Sequence, residues 1–236
     1  MSTTVDSIIT RAGIILHDTT KVRWQAGELL KWVNDAQNEI VLFRPDASVK
    51  SKTITLAAGT KQVLPLGAEA GYPEGIRLID VIRNMTGNTA GSAITVVDRD
   101  VLDAQLPSWQ SNITSDTVQH YMFDLRNPKT FYVYPGVAAG TQIEIVYSSV
   151  PSDAVEQVAG DDSTGILNIP GVYRNAVLDY VLYRAYSKDA DFAGNAQRAL
   201  KHYEAFTATL GLKYQVDRMV DPNQQDAVVP GPGPTS

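Results

Sequence analysis

The sequence predicts an α+β fold: a helical bundle formed by the N- and C-terminal helices, an inserted antiparallel β-rich region, and an extended C-terminal tail. Three observations carry this. Apolar residues recur at three-and-four spacing near both ends, the period is two between residues 49 and 151, and beyond 221 proline and glycine erase both patterns. The chain thus divides into 1–48, the first helices of the bundle; 49–151, the β-rich insertion; 152–220, a helical hairpin that completes the bundle; and 221–236, the tail. Neither helical pair alone can cover its apolar faces, which is why both ends belong to one bundle.

Val5, Ile8, Ile9, Ala12 and Leu16 predict a helix over 4–16, with Thr3 or Thr4 as its cap. A longer helix follows over 25–43. It places Leu29, Leu30, Val33, Ala36, Gln37 and Ile40 on its buried side and stops before Pro45, because a residue preceding proline disfavours helix. Trp24 and Trp32 are its large packing anchors. Near the other end, Ile169, Val172, Tyr173, Ala176, Val177, Tyr180 and Val181 define a face that must be buried. Leu178, Leu182 and Ala185 add a second stripe, so this helix meets neighbours on two sides. Asn168 is placed to cap it and Pro170 suits its first turn. A final helix opens at Asp191 and carries Ala196, Ala199, Leu200, Tyr203, Phe206, Leu210 and Tyr214. The break at 188–190 is so short that the two helices fold back antiparallel. Gly211 predicts a bend or frayed turn, since glycine weakens a helix by about 1 kcal/mol relative to alanine.

In the insertion, Ile54 and Leu56 alternate with Thr53 and Thr55, and with 62–66 they predict a hairpin. The run 76–85 reads as a strand buried on both sides, and 86–92 as a flexible loop. Further strands are predicted at 93–97, 118–124, 130–134 and 142–149, with Asp98 capping a short helix through Leu106. Such close spacing favours antiparallel pairing. Residues 151–168 form a polar connection back to the helices.

Little in the sequence points to chemistry. The chain has no cysteine, which excludes disulfides, thiolate zinc sites and cysteine nucleophiles. His17, His120 and His202 are isolated, and His202 reads as a surface residue on the polar side of the last helix. Asp153, Glu156, Asp161 and Asp162 lack the spacing of a calcium loop and read as a solvated segment. No phosphate loop, dinucleotide fingerprint or nucleophile elbow is present. A net charge of −6 argues against a surface built to grip phosphates and suits one that DNA passes without sticking. No run approaches the roughly 20 apolar residues of a membrane span, and the first residues do not read as a signal peptide. No cofactor or metal is therefore expected.

Two stretches resemble a known family. The run IPGVYRNAVLDYVLYRAYSKDADFAGNAQRALKHYEAF at 169–206 is similar to the C-terminal signature of tailed-bacteriophage head-to-tail adaptor, or connector, proteins. The run WQAGELLKWVNDAQNEIVLFRPD at 24–46, with Leu29, Trp32, Asn34, Ala36 and Gln37 at its centre, resembles the N-terminal helix of the same family. The resemblance implies a structural protein rather than an enzyme. It would form a homo-oligomeric ring, a dodecamer, under the portal, join the capsid to the tail, and let DNA pass in packaging and ejection without sequence-specific binding. Its partners would be the portal protein, a tail nozzle or tail tube protein, and further copies of itself. Its place would be the virion head–tail junction, after assembly in the host cytoplasm. A tail-completion or stopper ring is the neighbouring alternative, and a small-ligand binder or enzyme with a site between the β region and the bundle is the more distant one.

On this reading the bundle makes the ring. Tyr173, Tyr180, Tyr183, Arg184 and Tyr203 are the expected subunit-interface residues, because tyrosine and arginine are enriched at such contacts. The tail docks on the portal through Val228, Val229, Pro230 and Pro232, and the β region faces the distal tail component.

Overall fold

The computed structural model of the chain describes residues 4–67, 72–111, 113–124, 126–155, 165–192 and 194–220. Among the described residues, five α-helices and two antiparallel-rich sheets make an α+β fold, as the sequence predicts. They form two compact units, one built on Gln37–Gly171 and the other on Thr3–Ala36 together with the chain from Val172 onward.

The helical unit opens with α1 (Val5–Ile15), whose N-cap Thr4 accepts a hydrogen bond from the Ser7 N–H at 3.4 Å, and which buries Val5, Ile8, Ile9 and Ala12. Helix α2 (Ala26–Phe43) begins in this unit and ends in the other, just ahead of Pro45. Trp24 and Trp32 are both buried. The next two helices of the unit are the hairpin, numbered α4 (Arg174–Lys188) and α5 (Asn195–Val220) because a short helix α3 (Arg99–Gln105) lies between in the chain. Both start later than their periodicity predicts. Asn168 does not cap α4: its N–H donates to Gln37 Oε1 and its amide to the Ser152 carbonyl, and a 3₁₀ turn at Gly171–Tyr173 intervenes. Val172 lies in that turn and is exposed rather than buried. Asp191 does not cap α5 either. Gly194 takes φ +79, and the Asn195 amide turns back to the Asp189 carbonyl and carboxylate. At Gly211 the helix simply continues.

In the β unit, β1 (Val49–Thr55), β3 (Gly75–Thr86), β4 (Thr89–Ala93) and β9 (Gln142–Ser149) form a sheet of order β1-β9-β3-β4. The second sheet has the order β2-β8-β7-β5, from β2 (Gly59–Val63), β5 (Thr95–Val96), β7 (His120–Phe123) and β8 (Thr130–Val137), with β6 (Ile113–Ser115) also on β8. Their facing sides share one core. Ile54, Leu78, Val81, Ile143, Ile145 and Tyr147 come from the first sheet, and Tyr121, Phe131, Val133 and Val137 from the second. A smaller cluster on the far side of the second sheet packs Leu102 of α3 and the fully buried Trp109 on Met122, Tyr132 and Tyr134. That indole went unremarked in the sequence because no periodicity surrounds it.

β1 and β2 do not pair as a hairpin; β1 joins β9 and β2 joins β8, so the chain changes sheets at 56–59. The buried Gln62 side chain holds that corner, bonding both the N–H and the carbonyl of Ala57. Residues 86–92 are not a flexible loop, because Gly87 at φ +59 starts a two-residue turn that pairs Thr86 with Thr89. Strand β3 is not buried on both sides: its register against β9 shifts at three bulges, leaving Ile76, Ile79 and Ile82 without partners. Gly75, Leu78, Val81 and Asn84 are therefore buried at every third residue instead of every second. Two short pairings, β5 with β7 and β6 with β8, are parallel.

Glycine is required at Gly75, where an added Cβ would lie 2.9 Å from the Leu64 side chain and 3.3 Å from Tyr147. The sheets are tied by a polar group as well. Buried Asn84 accepts the Val118 N–H at 2.7 Å and donates to the carbonyls of Val118 and Ser92 at 2.8 and 3.1 Å. Asn84→Ala leaves those buried groups unsatisfied, and the expected cost is about 3 kcal/mol, read as a lower urea midpoint with an unchanged slope.

Candidate assembly surfaces

The helical unit is organised around α4. Ala176, Val177, Leu178, Tyr180, Val181, Leu182, Ala185 and Tyr186 are all buried, which covers most of its circumference. Three neighbours account for this. Arg11 of α1 reaches Asn175 at 3.4 Å; Glu28 and Asp35 of α2 meet Lys188 and Arg184 at 2.6 and 3.9 Å; and α5 runs back along it. The α4–α5 contact is a seam of rings. Tyr180 meets Phe206 at 5.3 Å between centroids, Tyr183 meets Tyr203 at 5.0 Å, and Tyr186 stacks on His202 at 5.7 Å. His202 is therefore half-buried rather than on an outer polar face, with its Nδ1 2.9 Å from Asp179 Oδ1.

This arrangement sorts the tyrosines proposed for subunit contact. Tyr173 and Tyr180 are only 2% and 7% exposed and are spent inside the subunit. Tyr183 and Tyr203 are half-buried in the seam, and Arg184 is exposed. The apolar surface left uncovered lies elsewhere: Ile14 and Ile15 at the end of α1, Val22 and Phe192 in the two loops, and Leu200 and Leu212 on α5. The helical pattern named Leu200 together with Phe206 and Leu210. Leu200 lies roughly 100° around α5 from those two buried residues and is exposed. Val228, Val229, Pro230 and Pro232 lie outside the described residues.

The loops at one end of this unit are polar knots. Arg23 pairs with Asp189 and lies over the rings of Trp24 and Phe192, joining the α1–α2 loop to the α4–α5 loop. Asp18 accepts the N–H groups of Val22, Arg23 and Trp24, each at 2.9 Å. The bond from Trp24 and its two companions, aided by the Arg23 charge, hold the Asp18 carboxyl below the ordinary carboxylate range.

The histidines lie apart from one another. His120 shares a 2.7 Å bond with Thr95 and stacks on Tyr134. His17 sits exposed in a loop. Among the described residues no group of three or more histidine or acidic side chains could hold a metal ion. Asp153 is exposed, and Glu156, Asp161 and Asp162 lie outside the described residues. A cleft of about 860 Å³ in the β unit holds Asp98, Asp100, Asp103, Asp124, Arg99 and Arg126, which the sequence reading did not bring together. Each of its arginines is paired with a carboxylate. Asp103 accepts the Trp109 indole N–H at 2.6 Å and the Arg99 Nε at 3.2 Å; the Arg126 guanidinium holds the Asp124 carboxyl below its usual range.

The exposed apolar side chains on α1 and α5 give this α+β subunit surface of the kind that packs against other proteins. The SU10 adaptor protein family matches residues 3–227, nearly the whole chain, and the protein belongs to that family. Membership makes it a bacteriophage adaptor protein of the head-to-tail kind, acting with portal and tail components at the head–tail junction. No curated protein matches the chain. No described helix is long and apolar enough to cross a membrane.

The Asp18 knot yields a test by pH. Its folded pKa is lowered, so its stabilising contribution is complete above the ordinary carboxylate range and is lost as pH falls through the lowered value. Asp18→Asn turns one acceptor into a donor facing N–H groups. Thermal melts should place the variant below the wild type near neutral pH, with the gap closing in acid.

Proposed function

We propose that the protein forms a closed homo-oligomeric ring, a dodecamer, beneath the portal, joining capsid to tail and leaving a channel through which DNA passes in packaging and ejection. The family match over residues 3–227 carries this reading. Ring subunits need two lateral patches, and the apolar residues left open on α1 and α5 agree with that need. The helical unit is the ring-forming part, with the half-buried Tyr183 and Tyr203 and the exposed Arg184 at its margins. The β unit faces the tail nozzle or tube, and residues 221–236 dock on the portal through Val228, Val229, Pro230 and Pro232. A net charge of −6 suits a ring that encloses DNA without holding it. The protein acts in the virion after assembly in the host cytoplasm, as a scaffold rather than an enzyme.

The test is reconstitution with the portal protein of the same phage. Full-length chain should sediment with portal as a complex of fixed stoichiometry. A chain truncated after Val220 should keep its circular dichroism and melting temperature but lose portal binding; retained binding would refute the docking assignment.

A further inference from the structure

Resting on the ring reading, we infer the lateral contact itself: the outward face of α1 in one copy seats, parallel, against the outward face of α5 in the next. On α5 that face carries Leu200, Lys201, Glu204, Ala208, Gly211 and Leu212, all exposed, opposite the stripe that packs on α4. The two leucines are 58% and 64% exposed, and over twelve residues they stand about 18 Å apart along the axis. Ala208 and Gly211 leave a shallow groove before Leu212, and a Cβ at Gly211 would meet nothing within 4 Å. On α1 the outward face carries Asp6, Arg11 and Ile14, with Ile15 beside them, and Ile14 is 58% exposed. One helix offers a knob and the other a groove.

The charge order decides both the occupant and the direction. Along α1 an acid precedes a base, Asp6 then Arg11; along α5 a base precedes an acid, Lys201 then Glu204. Parallel helices oppose Asp6 to Lys201 and Arg11 to Glu204, whereas antiparallel ones would bring like charges together. The register agrees. Ile14 lies eight residues beyond Asp6, about 12 Å, and Ala208 seven beyond Lys201, about 10 Å, so the knob reaches the groove. Within the subunit these charges are weakly engaged. Asp6 lies 3.9 Å from Lys21, Arg11 reaches Asn175 at 3.4 Å, and no ion pair joins Lys201 or Glu204 to another described residue. The two halves sit on different helices of one chain, as a head-to-tail contact repeated around an axis requires.

Charge exchange tests this. Lys201→Glu and Asp6→Lys should each weaken ring formation on the portal by about tenfold or more in sedimentation, while the double variant recovers most of the loss. Circular dichroism checks that each variant is folded. The absence of native cysteine allows a second readout. Ile14→Cys and Ala208→Cys chains, mixed and oxidised, should cross-link to each other but not to themselves. Rings that assemble equally well with every charge variant, or without mixed cross-links, overturn this contact and leave the adaptor reading standing. Wild-type chain that forms no ring with portal overturns both. Cross-links from α5 to the portal instead would assign that face to the portal.

Discussion

The burial of α4 on nearly every side is the constraint on which the helical unit depends. A helix with Ala176, Val177 and Val181 fully enclosed cannot be covered by one partner, so α1, α2 and α5 must all converge on it, drawn from opposite ends of the sequence. The insertion of more than a hundred residues between α2 and α4 is tolerable because this convergence closes the chain around it. Each of the three outer helices spends one stripe on α4. What remains on α1 and α5 is therefore decided by a helix that neither of them can see past.

Much of this was legible in the sequence. The helical period named Ile8, Ala12, Leu29, Val33, Ala176, Val177 and Phe206, and all of them are buried. Boundaries were less legible: Asn168 has the right chemistry for a cap yet bonds Gln37 and Ser152, and at the other helix the turn is closed by the Asn195–Asp189 contact instead of by Asp191. The aromatic residues were harder still. A tyrosine has the same composition signal in a seam between two helices of one chain as in a seam between chains; the helical period put Tyr173 and Tyr180 on a buried face, and the geometry shows that their own subunit encloses them. Leu200 shares the helical spacing of Phe206 and Leu210 yet is exposed, since α5 bears apolar residues on more than one face and the period alone does not say which face α4 takes.

In the β unit the difficulty was of another kind. A continuous apolar run reads as a strand buried on both sides, but β3 reaches the same composition by inserting an isoleucine at each of three bulges. Bulges leave no mark on a two-residue pattern except a period of three, which a short run does not distinguish from helix or from continuous burial. Asn84 shows why polar residues in such a run matter. Its amide bonds the Val118 backbone and the Ser92 carbonyl, so the two sheets are joined by a side chain as well as by apolar packing.

Helix α5 has 26 residues and α4 has 15, a difference of about 16 Å of rod at the usual rise. Since Tyr180 faces Phe206 in an antiparallel pair, most of that excess, about 12 Å, projects past the start of α4. A pull on the chain beyond Val220 acts through this lever and reaches the hairpin as a bending moment, which the clustered rings at Tyr180, Tyr183, Tyr203 and Phe206 are placed to resist.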